Sequence, residues 1–156
     1  MKAGKKTIGN KVYISFLLAA TLVLFIYANV SVALDKPVAT PHDQLVWVEI
    51  APFVQMADVT GNMGTGAHGT IGKFTPNSGT PPHTHTGAYH GVVISGVMTN
   101  PFGDEKNPPK LTPGSYWYVP AGAEHVTNCL SDTPCLFYFY ADEKFDFIPH
   151  RKVVRN

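Results

Sequence analysis

Three histidines lie within a span of eight residues, and their spacing suits the binding of a metal ion. His83 and His85 form an H-x-H pair, and His90 follows five residues after His85. Side chains two residues apart on an extended chain point to the same face, so the first two imidazoles would lie side by side. Gly87 permits a bend after which His90 could turn back toward the pair. A fourth histidine, His125, opens a later apolar segment, and imidazole is a preferred ligand of first-row transition metals.

Short apolar segments recur along the chain, and turns rich in glycine, proline and asparagine separate them. The 156 residues include 14 glycines, 13 prolines, 9 phenylalanines and 7 tyrosines, a composition that favours short strands and tight turns. The pattern predicts a single all-β domain, either a sandwich or a barrel. The predicted strands cover residues 45–50, 54–59, 68–74, 89–95, 97–100, 115–119, 125–129, 136–140 and 145–148.

The first 33 residues are typical of a secretory signal peptide. Four lysines precede an unbroken apolar stretch at 12–28, and Ser31 and Ala33 place small residues before a cleavage site. The alternative is an uncleaved membrane anchor, because residues 12–34 could nearly span a bilayer. Both interpretations place the domain in the periplasm or outside the cell. The other expected boundaries are a linker at 34–44, the folded domain at 45–150 and a C-terminal tail at 151–156.

The charge of the chain after cleavage argues against nucleic acid as a partner. Without residues 1–33 the chain has 8 basic and 11 acidic side chains, a formal charge of −3. Nucleic-acid binding requires a basic surface that neutralises phosphates. We therefore expect a small-molecule partner, and no stable membrane insertion once the signal is removed.

The two cysteines flank a turn-rich stretch between two apolar segments, which predicts a β-hairpin. Pairing Cys129 with Cys135 would set the register so that His125 faces Phe139. In an oxidising compartment these cysteines would form a cross-strand disulfide. The alternative is a pair of buried free thiols.

The histidines lie in two motifs that resemble those of the cupin superfamily, G-x5-H-x-H-x(3,4)-E-x6-G and G-x5-P-x-G-x2-H-x3-N. Gly114, Pro120, Gly122 and His125 match the second motif, whereas Asn128 comes one residue early. The two motifs and the strands between them cover residues 79–128. The strand-rich flanks extend the resemblance to most of the chain.

The first motif is matched in part. His83, His85 and Gly96 stand at motif positions, and His90 stands where the family has glutamate at the four-residue spacing. The leading glycine is absent at its usual distance, although Gly79 lies closer to the pair.

The resemblance implies a single-domain cupin-type β-barrel, also called a double-stranded β-helix or jelly roll, with a metal ion inside. It implies His83, His85 and His125 as ligands, and His90 as a fourth in place of the glutamate. The alternative is an open site of three histidines. One divalent transition metal is expected, iron first, with zinc, manganese, nickel or copper as alternatives. Cupins often pair through edge strands, so a homodimer is also expected.

Strand alternation predicts which side chains surround the ion. If His90 points inward, alternate residues of the same strand do so as well, and the same applies to the strand that follows His125. The expected pocket-lining residues are Val92, Ile94, Thr127, Phe137 and Phe139. Such an apolar pocket would hold a small hydrophobic or aromatic molecule against the ion.

The leading functional hypothesis is an exported, metal-dependent enzyme of the dioxygenase type that acts on a small chelating substrate. One alternative is a metal-loaded module that binds a small ligand without turnover. Another is an isomerase or hydrolase that works with zinc. No catalytic residue beyond the ligands is identified, because Glu124 should point away from His125 by strand alternation.

Overall fold

The computed structural model describes residues 36–150. The expected signal peptide at 1–33 and the expected tail at 151–156 lie outside the described residues. The described part contains β-strands and a short 3-10 helix, His42–Gln44, which confirms the all-β prediction. The strands are β1 (Val48–Ala51), β2 (Val54–Gly61), β3 (His68–Phe74), β4 (His83–Thr84), β5 (Tyr89–Ser95), β6 (Met98–Thr99), β7 (Tyr116–Val119), β8 (Asn128–Cys129), β9 (Cys135–Ala141) and β10 (Ile148–Pro149).

Two layers of antiparallel strands build the domain. The larger layer is a six-stranded sheet in the order β1-β2-β3-β9-β5-β7. The smaller layer joins two strand pairs, β10-β4 and β6-β8. Isolated bridges from His83 to His125 and from Gly79 to Asn128 connect these pairs into one surface. Within residues 36–150 no helix is long and apolar enough to cross a bilayer.

The core lies between the layers because alternate residues of the long strands are apolar and point inward. In β9, for example, Cys135, Phe137, Phe139 and Ala141 are buried, and the residues between them are at least partly exposed. The buried apolar cluster comprises Val54, Phe74, Tyr89, Val93, Met98, Trp117, Val119, Cys129, Cys135, Phe137, Phe139 and Ala141.

The direction of the β5 side chains differs from the prediction. Tyr89, Gly91 and Val93 are buried, whereas His90, Val92 and Ile94 point to solvent. The sequence of β5 is apolar on both faces, so the alternating pattern alone does not decide which face is inside. The neighbouring strand decides it, because a Cβ atom at position 91 would lie 2.2 Å from the ring of Trp117. Only glycine leaves room for that buried indole.

The predicted hairpin at the cysteines is also wrong, although the disulfide between Cys129 and Cys135 is present. β8 pairs with β6 in the smaller layer, and β9 lies between β3 and β5 in the larger one. Phe139 is therefore opposite Gly91 and not opposite His125. Leu130, which follows β8, still donates its N–H to the carbonyl of Val97, the residue before β6, so the chain crosses to the larger layer between Leu130 and Cys135. The disulfide thus joins the two layers.

Candidate metal centre

A pair of backbone hydrogen bonds sets the position of two histidines. The N–H of His83 donates to the carbonyl of His125 at 3.1 Å, and the reciprocal bond is 3.0 Å long. Residues that exchange both bonds in this way lie directly opposite each other and project to the same face. His85 follows His83 by two residues and shares that face, whereas Thr84 points the other way and contacts His150.

The three imidazoles converge as a result. Their ring centroids are separated by 4.2 Å between His83 and His125, by 4.8 Å between His83 and His85, and by 5.2 Å between His85 and His125. One nitrogen from each ring lies within 4.8 Å of the others. Each side chain is 2% exposed or less. We call these three residues the histidine cluster.

Backbone carbonyls orient all three rings. Nδ1 of His83 donates to the carbonyl of Pro81 at 2.9 Å, and Nδ1 of His125 donates to that of Ala123 at 3.0 Å. Nδ1 of His85 donates to the carbonyl of Asp146. A carbonyl can only accept, so the proton of each neutral ring resides on Nδ1 and the lone pair of Nε2 faces the cluster.

Burial keeps these rings neutral. It lowers the pKa of His83, His85 and His125 to about 4, and the hydrogen bonds to backbone carbonyls oppose this shift only in part. At neutral pH all three Nε2 atoms are therefore unprotonated. Neutral imidazole is the form that binds metal ions.

The donor set fits a divalent transition-metal ion. Nε2 of His85 is buried without any hydrogen-bond partner, which is costly unless another group uses its lone pair. Three imidazoles with carbonyl partners behind them form the kind of site that binds a metal and leaves coordination positions open.

His90 does not belong to the cluster, so the expectation of a fourth histidine ligand is corrected. Its side chain lies on the outer face of β5, where Nδ1 is 2.6 Å from the hydroxyl of Tyr116. Its ring lies beside that of Tyr118, tilted by 36° and with 4.8 Å between centroids. The cause is the direction of the β5 side chains, because His90, Val92 and Ile94 all point to solvent.

Tyr89 occupies the place expected for His90. Its side chain is 4% exposed, and its hydroxyl oxygen is 3.1 Å from Nε2 of His125. Three residues separate it from His85 and six separate it from Gly96, so it fits the glutamate position of the first motif at the shorter allowed spacing. That spacing was the signal in the sequence that could have identified it.

A cavity of about 420 Å³ opens beside the cluster between the two layers. Of the expected lining residues, Thr127, Phe137 and Phe139 face it, whereas Val92 and Ile94 lie on the outer face of β5. Further residues of its wall come from distant parts of the chain and include Val54, Met56, Met63, Phe74, Phe145 and Phe147.

Two aromatic rings near the end of the described chain cover the histidines. Phe147 stacks on His83 with 4.3 Å between centroids, and Phe145 stacks on His85 at 4.2 Å. Between them, Asp146 supplies the carbonyl that orients His85. The strand predicted at 145–148 is wrong for these residues, because β10 covers only Ile148–Pro149.

The remaining polar groups lie apart from the cluster. Glu124 is exposed and pairs with His150, so it points away from the ion site as expected. His68 is buried, and its Nδ1 contacts the hydroxyl of Thr70, which in turn donates to Asp58.

Comparison with known proteins identifies the family. The model of the family described as "Domain of unknown function (DUF4437)" matches residues 56–156, which is more than half of the chain. This chain belongs to the DUF4437 family. No curated protein sequence matches it.

Solved structures show that this DUF4437 protein has the cupin fold. KdgF from Halomonas sp. has a TM-score of 0.56 at 19% identity, with 67% of this chain and 94% of that chain covered. The polyketide cyclase RemF from Streptomyces resistomycificus has a TM-score of 0.62 at 17% identity, with 76% and 89% covered. An RmlC-like cupin from Shewanella frigidimarina has a TM-score of 0.55 at 16% identity, with 69% and 92% covered. The resemblance to cupins is thereby confirmed.

Proposed function

We propose that this cupin is a metal-dependent enzyme that holds a small hydrophobic molecule against a divalent ion. The observation that carries the proposal is the convergence of three Nε2 atoms beside an apolar cavity whose wall includes His83 and His85. An ion held there by His83, His85 and His125 supplies a Lewis acid and, if it is iron, a redox centre with open positions for substrate and oxygen. The protein supplies orientation and a water-poor environment.

The cavity wall favours an aromatic molecule with oxygen donors. Apart from the histidines and Tyr89, its polar members are Thr80, Thr127 and Asp146, and none of the described lining residues is lysine or arginine. The carboxylate of Asp146 already accepts two hydrogen bonds of 2.8 Å from Thr86. A small dicarboxylate would therefore find no cationic partner in the wall, whereas a phenol or an enolised diketone would bury its ring among phenylalanines.

The leading form of the proposal is a dioxygenase-type reaction with iron. The second form is an isomerase or hydrolase with zinc, and the neutral ligand set favours it. Three imidazoles leave the full charge of the ion in place, which strengthens the polarisation of a substrate carbonyl. In both forms the residues of the chain bind and orient the substrate while the phenylalanine side chains exclude water.

The experiment is metal analysis of the native mature protein, followed by turnover assays after loading with Fe(II) or Zn(II). We expect one ion per chain, and oxygen uptake with phenols or β-diketones in the iron form only. Isomerisation or hydrolysis in the zinc form would support the second candidate. Metal binding without turnover in either form would indicate a ligand-binding module, and absence of metal binding would contradict the proposal.

We further propose that the domain works outside the cytoplasm. The signal-like segment at 1–33 and the disulfide between Cys129 and Cys135 support export. Sequencing the N-terminus of the native protein should find Leu34 as the first residue. A native protein that starts at Met1 and fractionates with membranes would favour the anchored alternative.

A homodimer is part of the same proposal. β7 is an edge strand of the larger sheet, and beside it the outer face exposes Val92, Ile94, Tyr116 and Tyr118. A contiguous exposed apolar patch next to an open sheet edge supports association with a second copy of the chain.

A further inference from the structure

The hydroxyl group of Tyr89 is bonded to an atom that a metal ion would also require. Its oxygen is 3.1 Å from Nε2 of His125. Because the proton of that imidazole resides on Nδ1 and points to the carbonyl of Ala123, Nε2 is an acceptor and the phenol donates to it.

Nε2 has a single lone pair, so it cannot bind an ion and accept this hydrogen bond at the same time. Metal binding therefore releases the hydroxyl of Tyr89. The released donor stays buried beside the cluster, where the hydroxyl of Thr127 is another acceptor within reach and a charged oxygen atom held at the ion would be a stronger one.

The ring of Tyr89 is held in place, so its hydroxyl oxygen stays beside the cluster. Its plane is nearly perpendicular to three neighbouring rings, at 85° to His85, 89° to Phe145 and 79° to Phe139, with centroids 5.2 to 6.0 Å apart. The backbone of Tyr89 is also fixed, because Tyr89 pairs with Val119 of the neighbouring strand β7. The hydroxyl oxygen therefore stays where it can donate to an atom bound at the ion.

We propose that the neutral hydroxyl of Tyr89 donates a hydrogen bond to the oxygen atom through which a bound molecule coordinates the ion. This inference rests on the proposed function, because it requires an ion among the three histidines. Since Tyr89 stands where the first cupin motif has glutamate, the chain places a neutral donor where that motif has an anionic acceptor. The site then selects for ligands with anionic oxygen donors, such as phenolates, enolates and hydroxamates, over nitrogen donors.

The test uses the mature, disulfide-bonded protein loaded with Co(II), whose visible absorption reports on its ligands. Wild type, Tyr89→Phe and Tyr118→Phe are each titrated with benzohydroxamate, an oxygen donor, and with imidazole, a nitrogen donor. Tyr118→Phe is the matched control because Tyr118 lies on the outer face of the sheet.

We expect Tyr89→Phe to bind Co(II) at least as tightly as wild type, because the three imidazoles remain and no hydrogen bond to His125 has to be broken. Its affinity for benzohydroxamate should fall by about tenfold or more, the loss typical of a hydrogen bond to a charged oxygen. Its affinity for imidazole should not change, and Tyr118→Phe should match wild type throughout.

Three results would overturn the inference while the proposed metal site stands. They are unchanged benzohydroxamate affinity in Tyr89→Phe, an equal loss for both probes, and a loss of Co(II) itself, which would make Tyr89 a ligand. If wild type binds no Co(II), the proposed function and the inference both fail.

Discussion

The orientation of each imidazole depends on a backbone carbonyl behind the ring. For His83 and His125 this carbonyl lies two residues earlier in the chain, at Pro81 and Ala123. The local backbone conformation therefore orients both rings. Substitution of the side chains at positions 81 and 123 would leave these hydrogen bonds to the backbone in place. His85 differs because its carbonyl belongs to the distant Asp146.

Replacement of a cluster histidine should abolish tight metal binding, whereas replacement of His90 should not. We expect His85→Ala to lower the affinity for Zn(II) by roughly 100-fold or more, since loss of even a ligand's supporting hydrogen bond costs 10- to 100-fold. His90→Ala should retain wild-type affinity because that side chain faces solvent. Competition with a chromophoric chelator measures both. Equal losses in the two variants would mean that His90 reaches the ion.

The stability of the metal-free protein should depend on pH through these same rings. Burial lowers the pKa of each cluster histidine from 6.5 to about 4. Between these values the unfolded chain binds protons that the folded chain does not, so the free energy of unfolding falls as the pH is lowered from 6.5 to 4. Below a pH of about 4, the contribution of the three neutral histidines to the free energy of unfolding is fully lost.

Thermal unfolding between pH 7 and pH 4 checks this prediction. A variant with glutamine at positions 83, 85 and 125 should show a shallower decrease in melting temperature than wild type over that range. Some slope should remain, because burial also lowers the pKa of His68. Parallel profiles for the two proteins would show that the cluster does not cause the dependence.

At the scale of the strands, packing against the neighbouring strand decides which face of β5 points to the interior, because the sequence pattern of β5 does not. The segment from Tyr89 to Ser95 has apolar residues on both faces, and the choice of inner face depends on the indole of Trp117. The same choice brings Tyr89 to the cluster and takes His90 away from it. That this segment forms a strand was therefore predictable, whereas which of its faces points inward was not.

Adding one methyl group at Gly91 should destabilise the domain. A Cβ atom there would lie 2.2 Å from the Trp117 ring, so we expect Gly91→Ala to lower the free energy of unfolding by about 1–3 kcal/mol, the typical cost of overpacking. Gly66→Ala is the control, because a Cβ at that position meets nothing within 4 Å. Denaturant unfolding measures both variants, and equal stability of the two would contradict the packing argument.

The disulfide should stabilise the connection between the two layers. Cys129 and Cys135 are six residues apart, and a loop of this size contributes about 2 kcal/mol in the chain-entropy model. The double variant Cys129→Ser, Cys135→Ser should melt at a lower temperature than oxidised wild type. A reducing agent should lower the melting temperature of wild type and leave that of the variant unchanged. Insensitivity of wild type would show that the bond adds no stability.

At the scale of the whole molecule, the site exists because segments far apart in sequence meet between the layers. His83 and His125 are opposite each other across 42 positions of chain, and Phe145 to Phe147 return to cover them. The larger sheet supplies Tyr89 and the apolar wall. No single segment contains enough of the site to bind an ion and a substrate together.

The proposed dimer makes a prediction at this scale. Light scattering should give the mass of two mature chains, and Ile94→Lys should give that of one, because a charge in the outer apolar patch opposes burial. Val48→Lys is the matched control, since Val48 is exposed on β1 at the opposite edge of the sheet. A monomeric wild type would contradict this part of the proposal.

The amino-acid sequence by itself determined the properties that depend on neighbours along the chain. It specified the all-β class, the long strands predicted at 54–59, 68–74 and 136–140, and the two motifs that contain His83, His85 and His125. Alternation along a strand is local, so it states which residues share a face. Which face becomes the interior, and which tyrosine, carbonyl and phenylalanines join the histidines there, was decided only when distant segments packed together, because burial is a property of the assembled layers.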